Sequence, residues 1–188
     1  MNALESWFCG SAIWRYMTRR QLLPWLLHGT PLGQHVLEIG AGRGTATLEL
    51  ARLAPRVVSL EYDSRSVAVL KARTRKANVG AICGDASALP FPDGTFSAAI
   101  AILMLHHLQS AELQDRAFAE VRRVLRPGGV FLAFDIPDGW FHRVEHIKST
   151  FVPIDPSSVS ARLAGAGFSR ATVDARSAGF RIRAFRSA

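Results

Sequence analysis

Cysteine is scarce in this chain: Cys9 and Cys83 are the only two in 188 residues. Two thiols form neither a disulfide framework nor the paired spacing of a zinc site, so no metal is expected and a reducing, cytoplasmic setting fits. Long apolar runs are also missing. The longest unbroken one, Ala98 to Leu105, falls far short of the roughly 18 residues that suggest a membrane-spanning helix. A shorter run, Leu22 to Leu27, contains Pro24 and lies behind Arg15, Arg19 and Arg20, which argues against a secretory leader and for a soluble protein. Acidic residues are the third shortage, 15 against 23 lysines and arginines, for a formal charge of +8. The excess is nearly all arginine and is scattered. Its densest group, Lys71, Arg73, Arg75 and Lys76, spreads over more than one helical face and reads as a solvated helix end. Such a surface attracts anions without choosing among them, so nucleic acid is permitted but not favoured.

What is present describes an ordinary globular chain, 48% hydrophobic and 20% charged, long enough to cover a sheet on both faces. Its organising stretch runs from His35 to Thr47. An apolar strand, Val36-Leu37-Glu38-Ile39, breaks into Gly40, Gly42 and Gly44, and a helix pattern begins at about Thr45. A strand that turns through glycines into a helix exposes backbone N–H groups where a ligand can approach closely. The dinucleotide fingerprint G-x-G-x-x-G requires glycine or alanine where Thr45 stands, which disfavours a nicotinamide-dependent dehydrogenase. What stands here is G-x-G-x-G preceded by Glu38.

That form resembles motif I of the class I S-adenosylmethionine-dependent methyltransferases, and later segments extend the resemblance. The helix stripe Ala46, Leu50, Leu53 and Ala54 leads to a strand, Arg56 to Glu61. Glu61 stands at its carboxyl end, where a carboxylate can accept hydrogen bonds from both ribose hydroxyls. Asp63 is its rival, but with Ser64 it reads as the N-cap of a helix running to Ala77. After the strand Val79–Cys83 comes Gly84-Asp85-Ala86. The resemblance gives Asp85 the adenine amino group and the Ala86 N–H a ring nitrogen; the competing reading is a loop aspartate that satisfies its own backbone. The run from Leu89 through the apolar strand Ala98–Ile102 to His106-His107 is similar to the small-molecule, methyltransferase domain 11-like branch. By that likeness the two histidines lie near the methionine end of the cofactor, where one could take a substrate proton or simply pack. Neighbours face different ways, so at most one faces the ligand. Cofactor contacts are therefore expected from Glu38, Gly40, Ala41, Gly42, Gly44, Glu61, Tyr62, Asp85 and Ala86, with Glu38 near the cofactor's amino group or ordering the glycine loop.

Further on, Ser110 caps a helix with buried Leu113, Ala117, Val121, Val124 and Leu125. Arg126-Pro127-Gly128-Gly129 ends it, and Val130–Phe134 is a fifth strand. Asp135 to Ile154, with Trp140, Phe141, His142, Arg143 and His146, is where this family usually recognises substrate. Asp155-Pro156 opens a last helix ending near Gly165, and Ala171–Ala175 and Phe180–Phe185 form a hairpin.

The fold expected is a single Rossmann-like α/β domain: a seven-stranded, mostly parallel sheet with an antiparallel last strand. Residues 1–34 form an N-terminal helical segment of that domain, and 35–188 the cofactor-binding part. Trp7, Phe8, Trp14, Tyr16 and Trp25 in that segment line a substrate pocket or pack the helices. The resemblance implies S-adenosylmethionine as cofactor, S-adenosylhomocysteine as product, and in-line methyl transfer to a small, hydrophobic acceptor. No Asn/Asp-Pro-Pro-Tyr/Phe clamp for nucleobase amino groups is present. A non-catalytic cofactor-binding scaffold or sensor, and an RNA-directed methyltransferase, are the alternatives.

Overall fold

The computed structural model describes residues 11–139, 150–176 and 179–188. Trp7, Phe8 and Cys9, and the stretch with Trp140, Phe141, His142, Arg143 and His146, lie outside the described residues. The described residues open with helix α1 (Ala12–Met17), a π-helical turn (Thr18–Leu22) and helix α2 (Leu23–Leu27). Pro24 has no N–H with which to continue an α ladder. The backbone re-registers just before it, the Leu23 N–H reaching Thr18 O five residues back.

Among the described residues seven strands and four further α-helices follow: β1 (His35–Ile39), α3 (Thr47–Leu53), β2 (Arg56–Glu61), α4 (Ser64–Thr74), β3 (Val79–Cys83), β4 (Phe96–Ile102), α5 (Ala111–Val124), β5 (Leu125–Asp135), α6 (Pro156–Gly165), β6 (Arg170–Arg176) and β7 (Gly179–Phe185). They form one sheet in the order β3-β2-β1-β4-β5-β7-β6. β7 runs antiparallel to both neighbours, and the pairings among β1 to β5 are parallel. The strand order reverses beside β1, which pairs with β2 on one side and β4 on the other. In open α/β sheets this reversal leaves a crevice above the strand ends.

Strand periodicity divides the core into two layers. Val36, Val57, Ala98, Ile100, Val130 and Leu132 face one side, where Leu22, Leu23, Leu26 and Leu50 cover them. Their alternates Leu37, Ile39, Val58, Leu60, Ala99, Ala101, Phe131 and Ala133 face the other, under Phe118, Val121, Val124, Val159 and Leu163. This two-sided burial is what the uninterrupted apolar strands require. Each fully buried leucine or isoleucine contributes about 1.5–3 kcal/mol.

Several boundaries differ from those expected, β4 among them, which starts at Phe96 and not at Ala98. The first post-glycine helix starts at Thr47, because the glycine loop occupies an extra turn. The helix after Asp63 stops at Thr74, where Thr74 Oγ1 donates back to Leu70 O. β5 begins at Leu125, earlier than the apolar run suggests. Leu125 pairs with Phe96, the register then shifts, and Val130 resumes opposite Ala98. The intervening turn is held from the other side, Gly128 N donating to Arg186 O and Arg186 N to Gly129 O.

Two arginines pin this end of the sheet. Arg186 Nη1 donates to the carbonyls of Arg122, Arg123 and Leu125, supplying donors where α5 ends. Arg123 donates to Glu120, Asp93, Phe91 O and Leu89 O, so the turn-rich segment before β4 is tied to α5 by one guanidinium.

Candidate functional site

A cleft of about 670 Å³ opens at the carboxyl ends of β1, β2 and β4. Its volume lies within the roughly 300–1,000 Å³ typical of small-molecule sites. The glycine loop forms its floor, and the three glycines meet different demands. A Cβ at Gly40 (φ +72°) would stand 2.2 Å from Met104 Cγ, so the loop and the segment after β4 are in contact only because no side chain intervenes. At Gly44 the obstacle is Leu70 of α4, at 2.5 Å. Gly42 meets nothing within 4 Å and lines the cleft, open towards whatever fills it. Gly40→Ala is therefore expected to lower stability by about 2–4 kcal/mol, from positive-φ strain plus overpacking, and Gly42→Ala by about 1–2 kcal/mol from φ alone. Thermal melts of the two variants measure the difference, and equal losses would contradict the packing role of Gly40.

Glu61 stands at the rim. Its Oε2 accepts from Gly42 N at 2.8 Å and its Oε1 from Asp63 N at 3.0 Å, so strand end and glycine loop hold one carboxylate between them. Asp63 itself caps α4, accepting from the N–H groups of Arg65 and Ser66. Asp85 and Ala86 line the same cleft. Asp85 Oδ1 accepts from Ser87 N and Ser87 Oγ, both at 2.8 Å, which realises the local-turn reading for one oxygen. Tyr62, 76% exposed, also lines the cleft.

Glu38 is buried beneath the loop. Its Oε2 accepts from Ser59 Oγ of β2 at 2.6 Å and from Thr47 Oγ1 at the start of α3, tying β1, β2 and α3 together. Burial, reinforced by the nearby charge of Glu61, pushes its carboxyl above the ordinary range, against the two hydroxyl donors. The sign follows: the folded state holds this proton more tightly than the unfolded chain, so stability falls as pH rises from the ordinary carboxylate pKa through the raised one. Glu38→Gln is expected to remove that slope, giving the larger relative gain at neutral pH, as paired melts from pH 4 to 8 would show. A wild-type stability that climbs over this window relative to the variant would contradict it.

The two histidines part company. His107 lines the cleft, and its Nδ1 lies 3.0 Å from Thr150 O. A carbonyl only accepts, so Nδ1 carries the proton of this contact. His106 is 2% exposed and does not line the cleft. Its Nδ1 lies 2.5 Å from Asp135 Oδ1, a fully buried carboxylate that also accepts from Leu105 N and Ile136 N. The aromatics of the N-terminal segment divide likewise. Trp14 lines the cleft. Trp25 packs edge-on against Phe134, with Arg176 and Arg181 over its ring.

Sequence reasoning passed over several lining residues. Leu103 has φ +51° in the turn that ends β4, an energetically costly conformation for leucine, held by its N–H donating to Phe134 O. Met104, Leu108, Leu113 and Thr150 complete that side with Trp14. Leu103 and Met104 sit within the apolar run and carry no signal of their own; Thr150 comes near only through tertiary structure. Among the described residues no three His, Cys, Asp or Glu side chains form a metal cluster.

A crevice at the strand-order reversal, floored by glycines and rimmed by acids, defines a Rossmann-like site for a nucleoside-bearing ligand. The family model described as "Methyltransferase domain" matches residues 37–133, and the chain belongs to that family of S-adenosylmethionine-dependent methyltransferases. A "Probable S-adenosylmethionine-dependent methyltransferase" of Mycolicibacterium smegmatis is 37% identical over 100 residues, covering 53% of this chain and 37% of that protein. A demethylmenaquinone methyltransferase of Renibacterium salmoninarum is 36% identical over 102 residues, covering 54% of this chain and 40% of that protein. The chain thus spans less than half the length of these two relatives. The crystal structure of the PH0226 protein of Pyrococcus horikoshii superposes with a TM-score of 0.76 at 23% identity, over 95% of this chain and 93% of that one, a likeness of fold.

Proposed function

We propose that this chain binds S-adenosylmethionine in the cleft and transfers its methyl group to a small, hydrophobic acceptor. One observation carries the reading: Gly42, Glu61 and Asp85 line a single cleft together with the apolar side chains of Trp14, Leu103, Met104, Leu108 and Leu113. The polar end fits an adenosyl group. Glu61, with two oxygens at the rim, takes the ribose hydroxyls. Asp85 takes the adenine amino group through Oδ2, and the Ala86 N–H a ring nitrogen. Tyr62 covers the base, Gly40, Ala41 and Gly42 give the backbone close approach, Gly44, expected at the ligand but absent from the cleft lining, makes room for Leu70 instead, and Glu38 orders the loop beneath.

When bound, the cofactor supplies an electrophilic methyl on a sulfonium sulfur. The protein's share is to align the acceptor and exclude water. The apolar end of the cleft does both for a hydrophobic molecule, and the relative named for demethylmenaquinone supports that class. His107, which lines the cleft, is the histidine this reading assigns to accept a proton from an acceptor that loses one. His106, directed to Asp135, takes no part in this reading.

The N-terminal helices belong to the same domain on this view, since Leu22, Leu23 and Leu26 share a core with β1, β4 and β5. A reducing, cytoplasmic compartment is part of the proposal, supported by the free and exposed Cys83. No helix among the described residues is long and apolar enough to cross a membrane. Turnover tests the function: incubation with methyl-labelled S-adenosylmethionine and a panel of quinols, fatty acids and sterols is expected to label at least one hydrophobic acceptor. Cofactor binding with no labelling of that panel, but labelling of RNA, would overturn the acceptor class.

A further inference from the structure

Residues 11–37 include Arg15, Arg19 and Arg20 and no aspartate or glutamate. On α1, Ile13, Tyr16 and Met17 stand at i, i+3 and i+4 and so share one helical face. They are 68%, 63% and 37% exposed. Apolar residues at that spacing ordinarily turn inward, yet here Thr18, Leu22, Leu23 and Leu26 take the buried positions and the stripe faces out. Arg15, Arg19 and Arg20 are exposed on the same segment. Arg73 of α4 donates to Arg43 O at 2.7 Å, and burial, with the charges of Arg15 and Arg43 adding to it, holds its guanidinium below the ordinary range. The nearest acid to Arg19 is Glu49, at 3.6 Å, which Arg52 already holds at 2.8 Å. Trp14 from the same helix, with Arg43 from the glycine loop, lines the cleft, so the helix that carries the stripe borders the cleft.

The geometry points to a membrane-docking face: α1 and its arginines seat on an anionic phospholipid bilayer, with the cleft mouth beside the lipid. Nucleic acid would satisfy the arginines but not Ile13 and Met17. A bilayer interface satisfies both, guanidinium groups at lipid phosphates and the apolar stripe at the acyl boundary. The purpose of docking rests on the hydrophobic-acceptor reading, because such an acceptor is dissolved in the bilayer and enters the cleft from it.

The test is co-sedimentation of the full chain with vesicles of phosphatidylcholine alone and of phosphatidylcholine mixed with phosphatidylglycerol. The variants are the triple Ile13→Asn, Tyr16→Ser, Met17→Asn and the pair Arg15→Glu, Arg20→Glu, with S-adenosylhomocysteine titration reporting an intact cleft in each. The expected result is binding to mixed vesicles only, weakened about tenfold or more in both variants, at unchanged S-adenosylhomocysteine affinity. Absence of vesicle binding, or equal binding by the wild type and the apolar triple variant, overturns docking whatever acceptor is methylated. An oligonucleotide that displaces the chain from vesicles and binds the triple variant as well as the wild type also overturns it, in favour of a nucleic-acid face. Vesicle binding without turnover of any hydrophobic acceptor leaves docking standing and removes the acceptor reading alone.

Discussion

Glu61→Ala is expected to lower affinity for S-adenosylhomocysteine about 100-fold. Hydrogen bonds to a charged group contribute about 1.5–3 kcal/mol each, and two ribose hydroxyls on one carboxylate give about 3 kcal/mol even when discounted for solvent at the rim. The structure adds a second loss. Glu61 already accepts from Gly42 N and Asp63 N, so alanine also releases the loop from the end of β2. Glu61→Gln retains one acceptor oxygen and is expected to fall between wild type and alanine. Calorimetric titration of the three proteins checks the order. Equal affinities would remove Glu61 from the site.

Asp135→Ala is expected to be the most destabilising single change near the cleft. The carboxylate is fully buried and accepts from His106 Nδ1, Leu105 N and Ile136 N. Removing it leaves three buried donors without an acceptor, a loss of about 3–5 kcal/mol. For a chain of this length that corresponds to a fall in Tm of about 6–20 °C. The consequence reaches the cleft, because Leu105–His107 is the short 3-10 turn that carries His107, and Val152 N docks on His106 O. Asp135→Asn keeps an acceptor for two of the donors and is expected to recover part of the loss. Thermal unfolding followed by circular dichroism checks both, and an unchanged melting temperature for the alanine variant would contradict the pair's structural role.

Fold and site differ in how much of them can be read along the chain. The sheet is legible because its causes are local or periodic: the apolar runs at Val36–Ile39 and Ala98–Ile102 demand cover on two faces, and glycines mark where β1 must turn. The N-caps Asp63, Ser110 and Asp155 are legible for the same reason. Glu61 and Asp85 reach the cleft because the first ends β2 and the second lies just beyond β3, and topology brings strand ends together. What is hidden depends on partners far along the chain. Nothing near His106 announces Asp135, 29 positions away, so the sequence leaves open which histidine faces the ligand. The longer β5 depends on Arg186 beyond the last strand, and the positive φ of Leu103 falls inside a run that looks uniformly apolar. The outward stripe on α1 is hidden for a related reason: periodicity shows that Ile13, Tyr16 and Met17 share a face but not which way it points.

The most direct test of the central claim is calorimetric titration of the chain with S-adenosylmethionine, S-adenosylhomocysteine and NAD. The expected result is micromolar binding of both adenosyl-sulfur compounds and none of NAD. Binding of NAD, or of none of the three, would contradict the assignment of this cleft to the methyl donor.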